Sequence, residues 1–444
     1  MSTPITLPRA LDPGEAFFCL SDLISSMNFV VLAERSAPID TARLPQALHI
    51  LQQENALLRA CIRWDDSNGL QFESAPETPI VLQCVSATAA HWQDAIAAEL
   101  STPFALGSAP LMRCTCLTIQ GAEAVSGPSS VLALTFHHSI ADGRAGLALL
   151  RRLLALLMQE TLAADQTNLE RLLPSMQALL PPERRWAELP QAAQALKATL
   201  TNDYRRHGAP ATLPWLDSST TGMAPKIVRL RLDAGQTQRL IEAARANHTT
   251  VHGVLCAAQL LAQARLQDGT APSTLLLSSP VDMRAHLQPV APESPLGLFV
   301  SIVSATFAVA PDTALWPLAQ DIVRQTRVQI GRGEGHLFFN MFGLDGSPVL
   351  PERMAPFHKK LLASLHNTMV SNVGALPSVA QDPAVQAMSF ALCPMPYQAL
   401  FTAASTYNGQ LILNIGYDAV RLSADTAGKL VQGMAQVLQD AVAA

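Results

Sequence analysis

Between positions 131 and 158 a buried strand runs straight into an amphipathic helix, and the join, His137-His138-Ser139-Ile140-Ala141-Asp142-Gly143, constrains the fold more than any other stretch. Val131 to Phe136 is short, apolar and β-leaning, the composition of a strand covered on both faces. From Arg144 to Met158, leucines recur at 147, 150, 153, 154 and 157, a spacing that buries one side of a helix. A strand-to-helix turn leaves orphan N–H groups pointing outward, and Asp142 or Gly143 can cap them. The unit belongs in an α/β layered fold. A segment that brings an imidazole, a carboxylate and a flexible glycine together can do proton-transfer chemistry.

A chain of 444 residues exceeds one ordinary core, so two domains of roughly 200 residues each are expected. With 49% hydrophobic and 15% charged residues, both can bury large cores. The net charge of −5 and the lack of any Lys/Arg cluster argue against a nucleic-acid partner, because neutralising phosphates needs concentrated positive charge. The seven cysteines, at 19, 61, 84, 114, 116, 256 and 393, form neither CxxC pairs nor an even framework. They read as core thiols in a reduced compartment. No basic segment followed by an apolar one opens the chain, so no signal peptide is expected and the cytoplasm is the expected location. The longest apolar run, Leu296 to Ala310, is too short to span a membrane; its Val, Ile and Phe content suggests a buried strand.

The expected organisation is a first lobe over residues 1–175, a connecting segment over 176–224 and a second lobe over 225–444. In the first lobe, strands are expected at 27–32, 60–64, 111–119 and 131–136. Helices are expected near 90–100 and after Asp40-Thr41, which would cap a helix burying Leu44, Leu48 and Leu51. Prolines at 174, 181, 182, 190, 210 and 214 break the connecting region into polar pieces. The second lobe restarts with a strand at 226–232, an apolar helix at 251–266 and a strand at 274–281. Strands at 368–372, 400–406 and 410–417 and a closing helix at 424–442 complete it.

Two further segments end strands with chemistry at the tip. Pro280-Val281-Asp282-Met283-Arg284 fixes a turn beside a permanent cation, and Ser371-Asn372-Val373-Gly374 closes another strand with small polar groups. Together with the HHxxxDG join, these segments resemble the HHxxxDG acyltransferase superfamily. That superfamily includes chloramphenicol acetyltransferase, plant alcohol acyltransferases, nonribosomal peptide condensation domains and free-standing polyketide-associated acyltransferases. Residues 280–284 are similar to its PVDLR segment and 371–374 to its strand-end motif. Asn55-Ala56-Leu57-Leu58-Arg59 resembles its first-helix pattern, and Pro110-Leu111-Met112-Arg113 its next strand. The likeness is strongest to the mycobacterial phthiocerol dimycocerosyl transferase type, which esterifies diols with acyl groups delivered on a carrier domain. No DFGWG segment like that of the plant enzymes is present, which disfavours that branch and its use of coenzyme A.

The resemblance implies two chloramphenicol-acetyltransferase-like lobes, each a mixed β-sheet flanked by helices, with an active-site tunnel between them. In that setting His138 is the general base, taking a proton from an attacking hydroxyl or amine and returning it to the departing thiol; an imidazole suits this near neutral pH. The resemblance further implies that Asp142 turns away from His138 and pairs with Arg284, whereas on local grounds alone it is a helix N-cap. Gly143 either offers its N–H to an oxyanion or merely permits the turn. Ser371 and Asn372 are candidate oxyanion or acceptor contacts, unless they only satisfy local backbone. His137, whose ring leaves an extended backbone in another direction, is expected to be structural support.

The expected donor is an acyl group on the phosphopantetheine of a carrier protein, or on coenzyme A, with no permanently bound cofactor. An alcohol acceptor gives an ester. Alternatives are an amide-forming condensation enzyme acting on an amine, and a non-catalytic scaffold that binds a carrier protein. Arg151, Arg152, Arg184 and Arg185 are candidates to meet an acidic carrier. His248 and His252 stand four apart but lack an HExxH glutamate and a third ligand, so no metal is expected. Cys114 and Cys116 share a strand face as packing thiols. Gly331 to Gly335 lacks nucleotide-loop spacing and is expected to be a flexible loop.

Overall fold

The computed structural model describes residues 6–75, 78–121, 127–164, 172–185, 190–267 and 269–443. Two mixed sheets form its two lobes. The first runs in the order Val385–Leu392, Asn28–Arg35, Ser130–His137, Met112–Gln120, Val81–Thr88, with only the last pair parallel. The second runs Val300–Val309, Ser273–Asp282, Asn367–Ala375, Gln398–Tyr407, Gln410–Asp418, Pro225–Leu232, and is parallel on both sides of Asn367–Ala375. A small antiparallel sheet of Arg9–Ala10, Gly69–Ser74 and Ala60–Asp65 stands apart.

The division at residue 225 cuts the chain but not the sheets. Strand Val385–Leu392 leaves the second half to pair antiparallel with Asn28–Arg35, forming an edge of the first sheet. Three ion pairs hold this exchange. Arg35 reaches Asp382 at 2.7 Å, and Glu34, on the opposite face of the same strand, meets Arg229 and Arg231 of Pro225–Leu232. Both carboxylates are buried, so removing either one would strand a cation away from water.

The helix after the HHxxxDG join spans Gly143–Leu157. Leu147, Leu150, Leu153 and Leu154 are fully enclosed, and each such side chain contributes about 1.5–3 kcal/mol. The helix lies so close to the first sheet that a Cβ on Gly146 would come within 2.9 Å of Phe29 and 3.1 Å of Val31. This packing presses the start of the helix against the middle of the molecule.

Several expectations are corrected. Asp40 and Thr41 do not cap the following helix, which spans Leu44–Glu54 with Arg43 at its N-cap; Asp40 instead receives the Ala42 N–H, and Pro45 sets the first turn. The helix stops before the Ala56–Arg59 stretch, which is a 3₁₀ turn. Six cysteines are buried, but Cys84 is exposed because Val81–Thr88 is an edge strand. The glycine-rich piece at 331–335 leads into a 3₁₀ turn, Glu334–Leu337, that buries His336. The connecting region holds helices Met176–Leu179 and Pro190–His207; its residues 186–189, like Met1 to Ile5, lie outside the described residues. Among the described residues no helix is long and apolar enough to cross a membrane.

Candidate active site

A cavity of about 370 Å³ lies between the lobes, and His138 stands in its wall. The ring is stacked on Phe18 at 3.8 Å between centroids and tilted against Phe29 at 4.8 Å. Phe18 comes from helix Pro13–Asp22, whose start is fixed by a capping box of Asp12 and Glu15. The same helix is tied to the join, because Ser139 Oγ donates to the Glu15 carbonyl at 2.8 Å. His138 Nδ1 is enclosed without a hydrogen-bond partner, so Nε2 is the nitrogen able to meet a substrate. Burial pushes the imidazole down to about 4, against weaker pulls from the backbone of His138 and Ala141 and from the Asp142 charge. At neutral pH the ring is uncharged and ready to accept a proton.

The two adjacent rings diverge. His137 is fully buried; its Nδ1 accepts the Ser139 N–H at 3.2 Å, which leaves the proton on Nε2, 3.7 Å from Asp22. It supports the turn from behind and does not line the cavity.

Asp142 has contacts on two sides. As the N-cap it accepts the Ala145 N–H at 3.0 Å. Both its oxygens also receive Arg284 Nη2, at 3.1 and 2.9 Å, and Oδ2 takes the Phe299 N–H at 2.8 Å. Its donors are therefore all structural, and no hydrogen bond runs to His138. Arg284 continues to the Pro292 carbonyl and to Asp282. The join of the first lobe is thus bolted to the PVDMR turn of the second.

Gly143 follows with an ordinary negative φ, so the turn itself does not demand glycine. A Cβ there would rest 3.7 Å from Phe390 and 3.8 Å from Val373, normal contacts facing the cavity. What the missing side chain leaves is room beside the first-turn N–H groups, which carry no hydrogen bond inside the helix.

Arg144 is a cavity residue that the sequence reading missed. Its guanidinium bonds Asp282 at 3.1 Å, Glu293 at 3.1 Å and the Val373 carbonyl at 3.1 Å, making a second bolt between lobes. An arginine directly after the glycine was the available signal; nothing in sequence marks Glu293 as its partner.

Ser371 and Asn372 line the cavity from strand Asn367–Ala375. Asn372 Oδ1 accepts the Gly374 N–H at 2.9 Å, where Gly374 has φ +79°, so that oxygen serves the strand end. Three of the four arginines considered for an acidic partner are engaged within the chain: Arg152 with Glu54, Arg184 with His336, and Arg185 with the Leu180 carbonyl. His252 faces Ser279 and Cys256, while His248 sits at a turn with φ 51°. Among the described residues no group of three His, Cys, Asp or Glu side chains is placed to hold a metal ion.

Residues 221–416 match the sequence model of a family described as phthiocerol/phthiodiolone dimycocerosyl transferase C-terminus. No curated protein matches the chain in sequence. Among solved structures, polyketide synthase associated protein 5 from Mycobacterium tuberculosis is similar over 100% of both chains, with 18% identity and a TM-score of 0.65. The first condensation domain of the CDA synthetase is similar over 99% of this chain and 97% of its own, with 14% identity and a TM-score of 0.71. The trichothecene 15-O-acetyltransferase from Fusarium sporotrichioides is similar over 98% and 95%, with 14% identity and a TM-score of 0.66. At such identities the likeness establishes the fold, the two-lobed arrangement of condensation domains.

Proposed function

We propose that this protein is an acyltransferase: residues 221–416 match the model of the phthiocerol/phthiodiolone dimycocerosyl transferase C-terminus, within a chain folded throughout like a condensation domain. It moves an acyl group from a thioester, on carrier-protein phosphopantetheine or on coenzyme A, to an alcohol, forming an ester. One observation carries the reading: an uncharged imidazole, His138, stands in the wall of an inter-lobe cavity with one ring nitrogen enclosed.

The acceptor hydroxyl attacks the thioester carbonyl while His138 Nε2 removes its proton, and the same proton passes to the sulfur as the tetrahedral adduct collapses. The Gly143 N–H, at the positive end of helix Gly143–Leu157, is the candidate donor to the oxyanion. Asp142 and Arg284 act as positioning residues that hold this N-terminus in place. Much of the acceleration comes from holding the two substrates at reacting distance between lobes that are fastened together.

The test is intact-mass analysis of an acyl-loaded carrier protein, and of acyl-coenzyme A, incubated with matched alcohols and amines. Loss of the acyl mass from the donor and its appearance on the alcohol is the expected result. Transfer to amines alone would replace the ester by an amide product. Undiminished transfer by His138→Ala would refute the role of the imidazole.

A further inference from the structure

The cavity holds two buried amide side chains whose hydrogen-bonding capacity is not used up, at a place no sequence motif marks. Asn367 is 7% exposed and Gln398 5% exposed, and both line the cavity. They are register partners on neighbouring parallel strands, Asn367–Ala375 and Gln398–Tyr407. Gln398 Nε2 points at Met369 Sδ, two residues beyond Asn367, which puts the two amides on the same face of the sheet.

Neighbouring backbone fixes which end of each amide is which. Asn367 Nδ2 donates to the Leu365 carbonyl at 3.2 Å; a carbonyl only accepts, so the other end is the oxygen, and Oδ1 is buried without a partner. Gln398 Oε1 accepts the Met395 N–H at 2.9 Å, so its free end is Nε2, whose contact is the Met369 thioether at 4.0 Å, a weak acceptor. The wall therefore holds one acceptor and one donor on adjacent strands, both neutral, with Asn367 Oδ1 enclosed until the amide turns toward a ligand. A buried carbonyl oxygen without a partner costs stability, and a ligand that supplies the missing hydrogen recovers it.

Resting on the acyl-transfer reading, the geometry points to a binding subsite, made by Asn367 Oδ1 and Gln398 Nε2, for an uncharged ligand group that donates and accepts a hydrogen bond at once. Two substrate parts have that chemistry: an amide in the thiol arm of the acyl donor, or a hydroxyl of the acceptor other than the reacting one. Simple alkyl thioesters and mono-alcohols lack it.

The experiment measures kcat/KM for four combinations in the wild type, Asn367→Leu and Gln398→Glu. The donors are the octanoyl thioester of N-acetylcysteamine, which carries an amide, and of butanethiol, which does not; the acceptors are decanol and a decanediol. Gln398→Glu keeps an oxygen for the Met395 N–H and replaces the amide donor by a carboxylate oxygen, so it carries the test if Asn367→Leu does not fold. The wild type is expected to favour one member of a pair by about tenfold or more, the ratio one added hydrogen bond produces. Both variants bring that ratio close to one. A preference on the donor side assigns the subsite to the thiol arm, and one on the acceptor side to the second hydroxyl. Equal use of all four by the wild type, or an equal fall for all four in the variants, overturns the subsite. If no combination reacts, the acyl-transfer reading fails separately. The subsite is then judged by titration with S-octyl-N-acetylcysteamine against octyl butyl sulfide, and the diol against decanol. Equal binding within each of those pairs overturns it as well.

Discussion

The two walls of the cavity handle their polar groups in opposite ways. On the wall from the HHxxxDG join, nearly every polar atom is engaged by the protein: Asp142 receives Ala145, Arg284 and Phe299, and Ser139 bonds both His137 and Glu15. His138 alone keeps a nitrogen for a substrate. On the facing wall, Asn367 and Gln398 retain a free acceptor and a weakly held donor, and Ser371 stands in the cavity lining. One wall is built to stay in place, the other to be completed by what binds. Substitutions on the first should therefore cost stability, and on the second substrate use; His138 is the exception.

That exception gives the largest expected effect. His138→Ala should lower kcat/KM for acyl transfer by roughly 10²- to 10⁴-fold, measured by acyl release from a loaded donor. Its melting temperature should fall only modestly, since the lost ring gives up its stacking on Phe18 and Phe29 but no hydrogen bond at Nδ1. A melting temperature that collapses with activity would make His138 one more structural group. Next is Arg284→Ala, which leaves the Asp142 carboxylate buried and short of its partner. Urea unfolding should show a loss of about 3–5 kcal/mol, and unchanged stability would break the contrast between the walls.

Gly143→Ala sharpens the comparison at the seam. The new methyl meets only ordinary contacts at 3.7 Å in the empty cavity, so stability should move by less than about 1 kcal/mol. Transfer should slow by about tenfold through crowding of the first-turn N–H groups; a rate equal to wild type would remove Gly143 from the site.

The acid limb of kcat/KM tests the His138 environment. On the proposed mechanism the neutral ring is the working form, so lowering pH should remove activity only as the ring protonates. Burial holds the ring near 4, and the profile should stay flat from neutrality down to about 5 and halve close to 4. A midpoint near the ordinary 6.5 of an exposed imidazole would place the ring in water. The smallest effect is expected from Ser371→Ala on the uncommitted wall, with unfolding free energy within about 0.5 kcal/mol of wild type and a few-fold change in KM read from steady-state rates.

The same contrast explains what could be read from sequence. The join was legible because its groups are contiguous: strand, imidazole, cap and helix lie within a single unbroken segment, and Arg284 is flagged by its own turn. Asn367 and Gln398 were not, since each is an isolated amide whose meaning comes only from strand pairing across 31 positions. Most strands of both sheets were visible from apolar runs. Strand Val385–Leu392 was missed, because nothing local distinguishes a short apolar run that pairs within its own half from one that crosses to the other. The Asp40-Thr41 cap misled for a related reason. Asp40 does make a local backbone bond, to Ala42, but that bond closes a turn ahead of a helix that begins later, at Leu44.

That crossing strand bears on how chains of this fold can be recombined. A hybrid joined near residue 225 from two relatives would graft a foreign edge onto the first sheet. It would also bring foreign substitutes for Phe390 and Leu392, which line the cavity from that edge. Substrate preference in such hybrids would follow neither parent half alone. Moving the 382–392 segment with the first half, so that Arg35 keeps Asp382, is the exchange that preserves a parental lining.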